Sequence, residues 1–227
     1  MTATMTRLRA DLWETRTDTP FPGLTTHSYL WKTHGHTPSD RPSGNPSANV
    51  LFYCPATDAD FPAIEELGGV DHQYLSHQDE AGPMLARIAD NFGARLHAPA
   101  AELARIGQHA SVDVVLDRRH LDANGVEVIP TPGHSPGSTS YLDDGAEGRY
   151  LFTGDTVFVD AEGRWSTFVI PGVGDAAAMI ASLQVLATVQ PDIVISRAFG
   201  ARAMTVIGER PWPDCVAEAM DTIPAPC

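Results

Sequence analysis

Apolar residues along this chain change period several times, and each change marks an element. Residues 25–31 and 49–54 are runs rich in aromatic and aliphatic side chains, which predicts two strands. Between them, residues 33–47 crowd Gly, Pro, Ser, His and Thr together, the composition of a long surface loop. Loops of this length inside a compact domain often serve as binding loops or lids. Residues 59–67 return to helical spacing and 72–76 form a short strand. Residues 82–92 then place Met84, Leu85, Ile88 and Phe92 on one helical face. A strand at 95–98 and an alanine-rich helix at 100–106 follow. Four short strands come next, at 112–116, 126–130, 138–142 and 150–153, separated by Gly, Asp and Asn turns. The longest helix is predicted at 176–189, a β-branched strand directly after it at 192–196, and a terminal helix at 213–220.

The first half thus alternates strand and helix, the middle is strand-rich, and the end returns to helix–strand–helix. Neither a doubly wound parallel sheet nor an all-β sandwich produces that order. A layered α/β (α+β) structure, with mixed sheets inside and helices outside, accommodates it. The 227 residues contain no internal repeat and no linker-like stretch between two halves. A single domain over 1–227 is therefore expected, with 211–227 as a C-terminal helix and tail, and it is large enough to bury a sizeable core.

Charge narrows the partners. The net charge is −14, with acidic residues spread along the whole chain. Such a surface repels phosphate backbones and anionic membranes, so the expected partner is a small-molecule substrate, not a nucleic acid or a membrane. Arg197 and Arg202 can still form a local pocket for a small anion. No apolar run approaches the ~18–20 residues needed to span a bilayer. Residues 1–18 lack the continuous apolar segment of a secretory leader, so a cytoplasmic location is expected. Cys54, Cys215 and Cys227 are odd in number and widely separated, which fits a reduced compartment and argues against a cysteine-rich zinc site. Nothing in the pattern specifies an oligomeric state.

Three segments place a metal-capable side chain immediately after a predicted strand. They are Tyr74-Leu-Ser-His77-Gln-Asp79-Glu80, then Thr131-Pro-Gly-His134-Ser-Pro-Gly-Ser138, then Phe152-Thr-Gly-Asp155-Thr. Side chains on such turns can converge on one point beyond the sheet. Two imidazoles with carboxylates suit Zn²⁺, Fe²⁺ or Mn²⁺. Taken singly, each segment also reads as an ordinary structural turn.

Taken in order, the three segments resemble the metallo-β-lactamase superfamily, over roughly residues 26–196. The resemblance implies a four-layer αβ/βα sandwich, two mixed β-sheets face to face with helices on both outer sides. It also implies where the chain departs from the family. The family's first turn is His-x-His-x-Asp-His, whereas this chain offers Leu75, His77, Asp79 and Glu80. The late family histidine falls near Ser196-Arg197-Ala198, and no histidine follows His134. The surviving set implies one divalent metal ion, zinc first, with iron or manganese as alternatives. His77, His134 and Asp155 would hold it with Asp79, and Glu80 would be a substitute ligand. Asp79 is also the candidate proton acceptor, and Arg197 the candidate group for a substrate anion. His34 and His36 are candidate replacements for the missing ligands. His72, His97, His109 and His120 are expected to be structural.

Three functions stay open. The first is a metal-dependent hydrolase with an incomplete, mononuclear site, acting on a small ester, thioester, lactone or amide. The second is a non-catalytic or metal-free member serving a binding role. The third is a mononuclear non-haem iron dioxygenase, for which Leu75 removes an expected ligand.

Overall fold

The computed structural model describes residues 5–21, 24–33, 48–198 and 203–223. In chain order the first strands are β1 (Thr6–Arg7), β2 (Leu12–Glu14), β3 (Asp18–Phe21), β4 (Leu24–Thr26), β5 (Tyr29–Lys32) and β6 (Asn49–Phe52). Strands then alternate with helices: α1 (Phe61–Glu66), β7 (His72–Tyr74), α2 (Met84–Phe92), β8 (Arg95–Pro99), α3 (Leu103–Ile106) and β9 (Val114–Leu116). A run of strands follows: β10 (His120–Leu121), β11 (Glu127–Pro130), β12 (Thr139–Gly145), β13 (Gly148–Gly154), β14 (Phe158–Val159) and β15 (Trp165–Ser166). The chain closes with α4 (Ala176–Leu186), β16 (Ile193–Ser196), β17 (Met204–Val206) and α5 (Trp212–Met220).

Two mixed sheets result. The first has seven strands in the order β1-β2-β5-β6-β7-β8-β9, antiparallel as far as β6 and parallel from there on. Each parallel step needs a crossover, and α1, α2 and α3 supply them. The second has six strands in the order β10-β11-β12-β13-β16-β17, antiparallel except for the β13–β16 pair that α4 bridges.

Alternation along the central strands decides how the layers stack. Val50 and Phe52 face the space between the sheets, while Leu51 faces the helices α1 and α2. Tyr150 and Phe152 likewise face inward, and Leu151 packs outward under α4 and α5. Ile193 and Ile195 repeat the pattern around Val194. A strand buried on both faces carries apolar residues at every position, which is why these runs show no polar alternation. Phe52 and Phe152 stack across the seam with centroids 3.9 Å apart. Each fully buried ring of this kind stabilises the sandwich by roughly 1.5–3 kcal/mol. The order helix, sheet, sheet, helix is the expected αβ/βα sandwich.

Several boundaries differ from the sequence reading. The run 25–31 is broken, because β4 pairs with β3 in a separate hairpin while β5 joins the large sheet. The segment 100–106 opens as a 3-10 turn over Ala100–Glu102, and Gly107 ends the short α3 after one turn. Strands β1 to β3, β10, β14, β15 and β17 were not expected at all. Most of the predicted loop, with His34 and His36, lies outside the described residues, as do Arg202 and Cys227. Among the described residues, no helix is long and apolar enough to cross a membrane.

Candidate metal centre

The parallel strands of the first sheet and the end of β13 deliver their C-termini to the same edge of the sandwich, where ligands of open sheets commonly bind. Beyond β7, the Leu75 N–H stays tied to the His97 carbonyl at 3.1 Å and the Ser76 carbonyl accepts from the Thr139 N–H at 2.9 Å. His77 is then the extended residue that opens a 3-10 turn over Gln78–Glu80.

His134 sits on the loop between β11 and β12. Gly133 has φ +145°, and a Cβ there would collide with the backbone of Met179 on α4. Only glycine lets the loop lie this close to the helix. Asp155 follows Gly154, whose φ is +57° and whose Cβ would run into the Ser76 hydroxyl. That close approach brings the exits of β13 and β7 together. Tyr53 (φ +71°) assists, because its hydroxyl accepts the Gly154 N–H at 2.9 Å.

Donor atoms of His77, His134 and Asp155 lie within 4.8 Å of one another, and all three residues are buried. His77 Nε2 is 3.4 Å and His134 Nε2 3.8 Å from Asp155 Oδ2. The two imidazoles stand perpendicular, with centroids 4.7 Å apart. His77 Nε2, His134 Nε2 and Asp155 Oδ1 have no hydrogen-bond partner among the described residues. A buried polar atom without a partner costs about 1–3 kcal/mol, so three of them on one buried cluster call for an occupant. A divalent cation satisfies all of them.

The opposite ring nitrogens are already committed. His134 Nδ1 is 2.8 Å from the Phe168 carbonyl, which can only accept, so Nδ1 carries the proton and Nε2 presents its lone pair. His77 Nδ1 lies 2.9 Å from Ser76 Oγ and 3.2 Å from Glu80 Oε1. Orientation of a ligating histidine through its second nitrogen is the usual companion of metal binding.

Glu80 therefore differs from its expected role as a substitute ligand. The 3-10 turn folds its side chain back onto the preceding strand exit. There Oε1 accepts from the Ser76 N–H at 3.1 Å and from the Ser76 hydroxyl. It holds the His77 nitrogen that faces away from Asp155. Asp79, one residue earlier, is exposed and lines the cavity above the cluster without joining it. Leu75 is fully buried in an apolar cluster with Leu85, Leu96, Ala98 and Ile106. His72 and His97 bond each other at 2.9 Å.

Arg197 is not a surface group. It places Nη1 3.4 Å from Asp155 Oδ2, while its N–H donates to the Gly154 carbonyl at 2.9 Å. Burial raises the Asp155 carboxyl, but His77, Arg197 and His134 outweigh it and hold the group below the ordinary range. Burial lowers His77, yet Asp155 and Glu80 reverse that and leave it raised. For His134, burial and the neighbouring His77 prevail, and its pKa is lowered.

Sequence reasoning missed Glu102. This buried carboxylate accepts from the Gly137 N–H at 2.9 Å and from the Ser135 hydroxyl, and so pins the loop that carries His134. The pairing of Ser135 with Ser138 (hydroxyls 2.9 Å apart) belongs to the same lock. A glutamate at the head of an alanine-rich segment gave no signal of this.

The cluster and its strand exits coincide with a family match. The Metallo-beta-lactamase superfamily model matches residues 71–197, more than half of the chain. The chain belongs to this superfamily. The chain is similar to a hydroxyacylglutathione hydrolase of Acidiphilium cryptum, 32% identical over 135 residues, covering 59% of this chain and 52% of the relative. A probable metallo-hydrolase of Methanocaldococcus jannaschii is 29% identical over 143 residues, 63% of this chain and 55% of that one. The chain thus spans about half the length of these curated relatives. Among solved structures, a metallo-beta-lactamase from Pontibacter korlensis superposes with TM-score 0.70 at 13% identity, covering 96% of this chain and 97% of its own. A beta-lactamase domain protein from Burkholderia ambifaria gives TM-score 0.67 at 15% identity, covering 96% and 74%. These likenesses show the metallo-β-lactamase fold. The superfamily is metal-dependent, and the structure holds a buried His-His-Asp cluster of a composition able to take an ion.

Proposed function

We propose that this chain is a metal-dependent hydrolase with a single divalent ion, acting on a small ester, thioester, lactone or amide. The observation that carries the reading is the buried cluster of His77, His134 and Asp155, whose donor atoms lie within 4.8 Å of one another, with both imidazoles held from behind. Two similar proteins are named as hydrolases, which supports hydrolysis as the reaction type.

His77, His134 and Asp155 would hold the ion, and zinc fits two imidazoles and a carboxylate best, with iron and manganese also compatible. When bound, the ion supplies Lewis acidity and lowers the pKa of a water molecule from ~15.7 towards neutrality. Asp79 lies exposed on the cavity wall and accepts the proton of the attacking water. Glu80 and the Phe168 carbonyl fix the ring orientations.

Three side chains support the reading of a single ion. Arg197 already sets a positive charge against Asp155, Glu80 is turned back onto Ser76, and Leu75 is committed to an apolar cluster. A second cation beside Asp155 would have to displace the guanidinium. The same Arg197–Asp155 pair favours a second reading, a metal-free binding protein, because it partly compensates the carboxylate without any ion.

Elemental analysis of protein purified without chelator separates these readings. About one zinc or manganese per chain is expected; about one iron would favour the dioxygenase. No metal, with no uptake on titration, would overturn both enzymatic readings. A His134→Ala variant that kept its metal would show the ligand assignment to be wrong.

A further inference from the structure

The cavity over the cluster has a volume of about 700 Å³, and its walls are of two kinds. Pro20, Leu24, Phe158, Phe168 and Ile170 make an apolar lining drawn from three separate segments. The Phe168 ring is the most informative of these. Its backbone carbonyl holds His134, yet its side chain is 46% exposed, with the ring centroid 5.9 Å from that of His134. An aromatic ring left open to solvent beside a buried ligand histidine offers a stacking surface to whatever enters.

The charged lining is balanced. Asp79 and Asp155 contribute two negative charges, Arg105 and Arg197 two positive ones, so the bound ion's charge would be left over. Within the lining, Arg197 is engaged by Asp155. Arg105, projecting from α3, has no ion pair among the described residues. An uncommitted guanidinium facing a cavity, in a chain of net charge −14, is a specific feature and not part of a basic surface.

Resting on the hydrolase reading, we propose that the substrate is an acyl ester or thioester with an aryl or alkyl body and an anionic terminus, a carboxylate or phosphate. The body lies against Phe168 and its apolar neighbours, and the anion pairs with Arg105 at the rim. Guanidinium suits this role because its fork matches either anion bidentately. Arg105 then sets which acyl compounds are retained, while the cleaved bond lies over the cluster.

The test uses the protein as purified and three probes without an acyl ester or thioester bond, titrated by calorimetry: 4-phenylbutyrate, 3-phenylpropyl phosphate and the neutral 4-phenylbutanamide. At least one anion is expected to bind about tenfold more tightly than the amide. In Arg105→Gln that preference falls towards one, whereas direct ligation of an anion by the ion would survive the substitution. Phe168→Ala keeps the backbone carbonyl and is expected to weaken all three probes about tenfold. Equal affinity for amide and anions, no binding of any probe, or a preference that persists in Arg105→Gln would overturn the proposal. The hydrolase reading fails separately, if the anions bind as expected while S-phenyl thioesters that keep a free carboxylate at the far end of the acyl chain are not cleaved.

Discussion

Replacing Glu102 by alanine isolates the lock behind the His134 loop. Its Oε1 takes the Gly137 N–H at 2.9 Å and the Ser135 hydroxyl, both buried. Alanine leaves the Gly137 N–H with no acceptor, at a cost of about 1–3 kcal/mol. The Ser135 hydroxyl can turn to Ser138, 2.9 Å away, so its loss is smaller. Truncating the buried stem adds about 1 kcal/mol. Relief from burying a carboxylate whose Oε2 has no partner among the described residues offsets part of the sum. The net expectation is a loss of about 2–3 kcal/mol, read by urea unfolding with chelator present, together with about tenfold weaker zinc binding as the loop loosens. Glu102→Gln keeps an acceptor for Gly137 and should retain more than half of both. If Glu102→Ala unfolds within about 0.5 kcal/mol of the parent and binds zinc equally well, the carboxylate does not hold the loop.

Three further outcomes follow from buried or strained groups. Burial, with Asp122, Asp144 and Glu127 nearby, pushes the Asp143 carboxyl far above its usual range, and neither oxygen has a partner among the described residues. The folded chain then keeps a proton that the unfolded chain loses near pH 4, so this group's contribution to stability falls as pH rises from there, by up to ~1.4 kcal/mol per unit. Asp143→Asn should flatten that slope in urea titrations run from pH 4.5 to 8, and an unaltered slope would refute it. Gly154→Ala combines a φ of +57° with a collision at Ser76 and should cost about 2–4 kcal/mol in thermal or urea unfolding. Gly163→Ala, at φ +80° in open space, should cost about 1 kcal/mol, and equal losses would remove the steric argument. The Cys54 thiol is pushed up to about 12, mainly by burial. Iodoacetamide at pH 8 should therefore label it far more slowly in the native than in the unfolded chain, as mass spectrometry would show.

Central strands were legible because burial on both faces leaves an apolar run, as at Val50-Leu51-Phe52 and Ile193-Val194-Ile195. The N-terminal strands were not, since their determinants are remote. Asp11 looks like a surface residue of a polar leader, yet it is 1% exposed and accepts from Trp31 Nε1, Tyr150 OH and the Ala146 N–H at 2.8–3.0 Å. Three partners up to 139 residues away along the chain convert a polar stretch into a pinned sheet edge. No local period encodes that.

The same distinction divides the site. His77, His134 and Asp155 were legible because each follows a predicted strand, and for His134 and Asp155 a Pro-Gly or a Gly directly before it marks the bend. Carboxylates that hold ligands carry no such mark. Glu80 differs from a ligand only in which way one 3-10 turn sends its side chain, and Glu102 meets Gly137 across 35 residues of chain, from a 3-10 turn of its own. Arg197 shows the consequence for chemistry. Its place in the sequence suggested a group waiting for a substrate anion, but the fold sets it against Asp155, and Arg105 is left as the cation without an ion pair within the described lining. A cation already paired to a buried carboxylate has little to offer an incoming anion, because that anion would have to compete with a desolvated partner. On the proposed reading, selectivity for charge therefore passes to Arg105, the lining cation without an ion pair among the described residues.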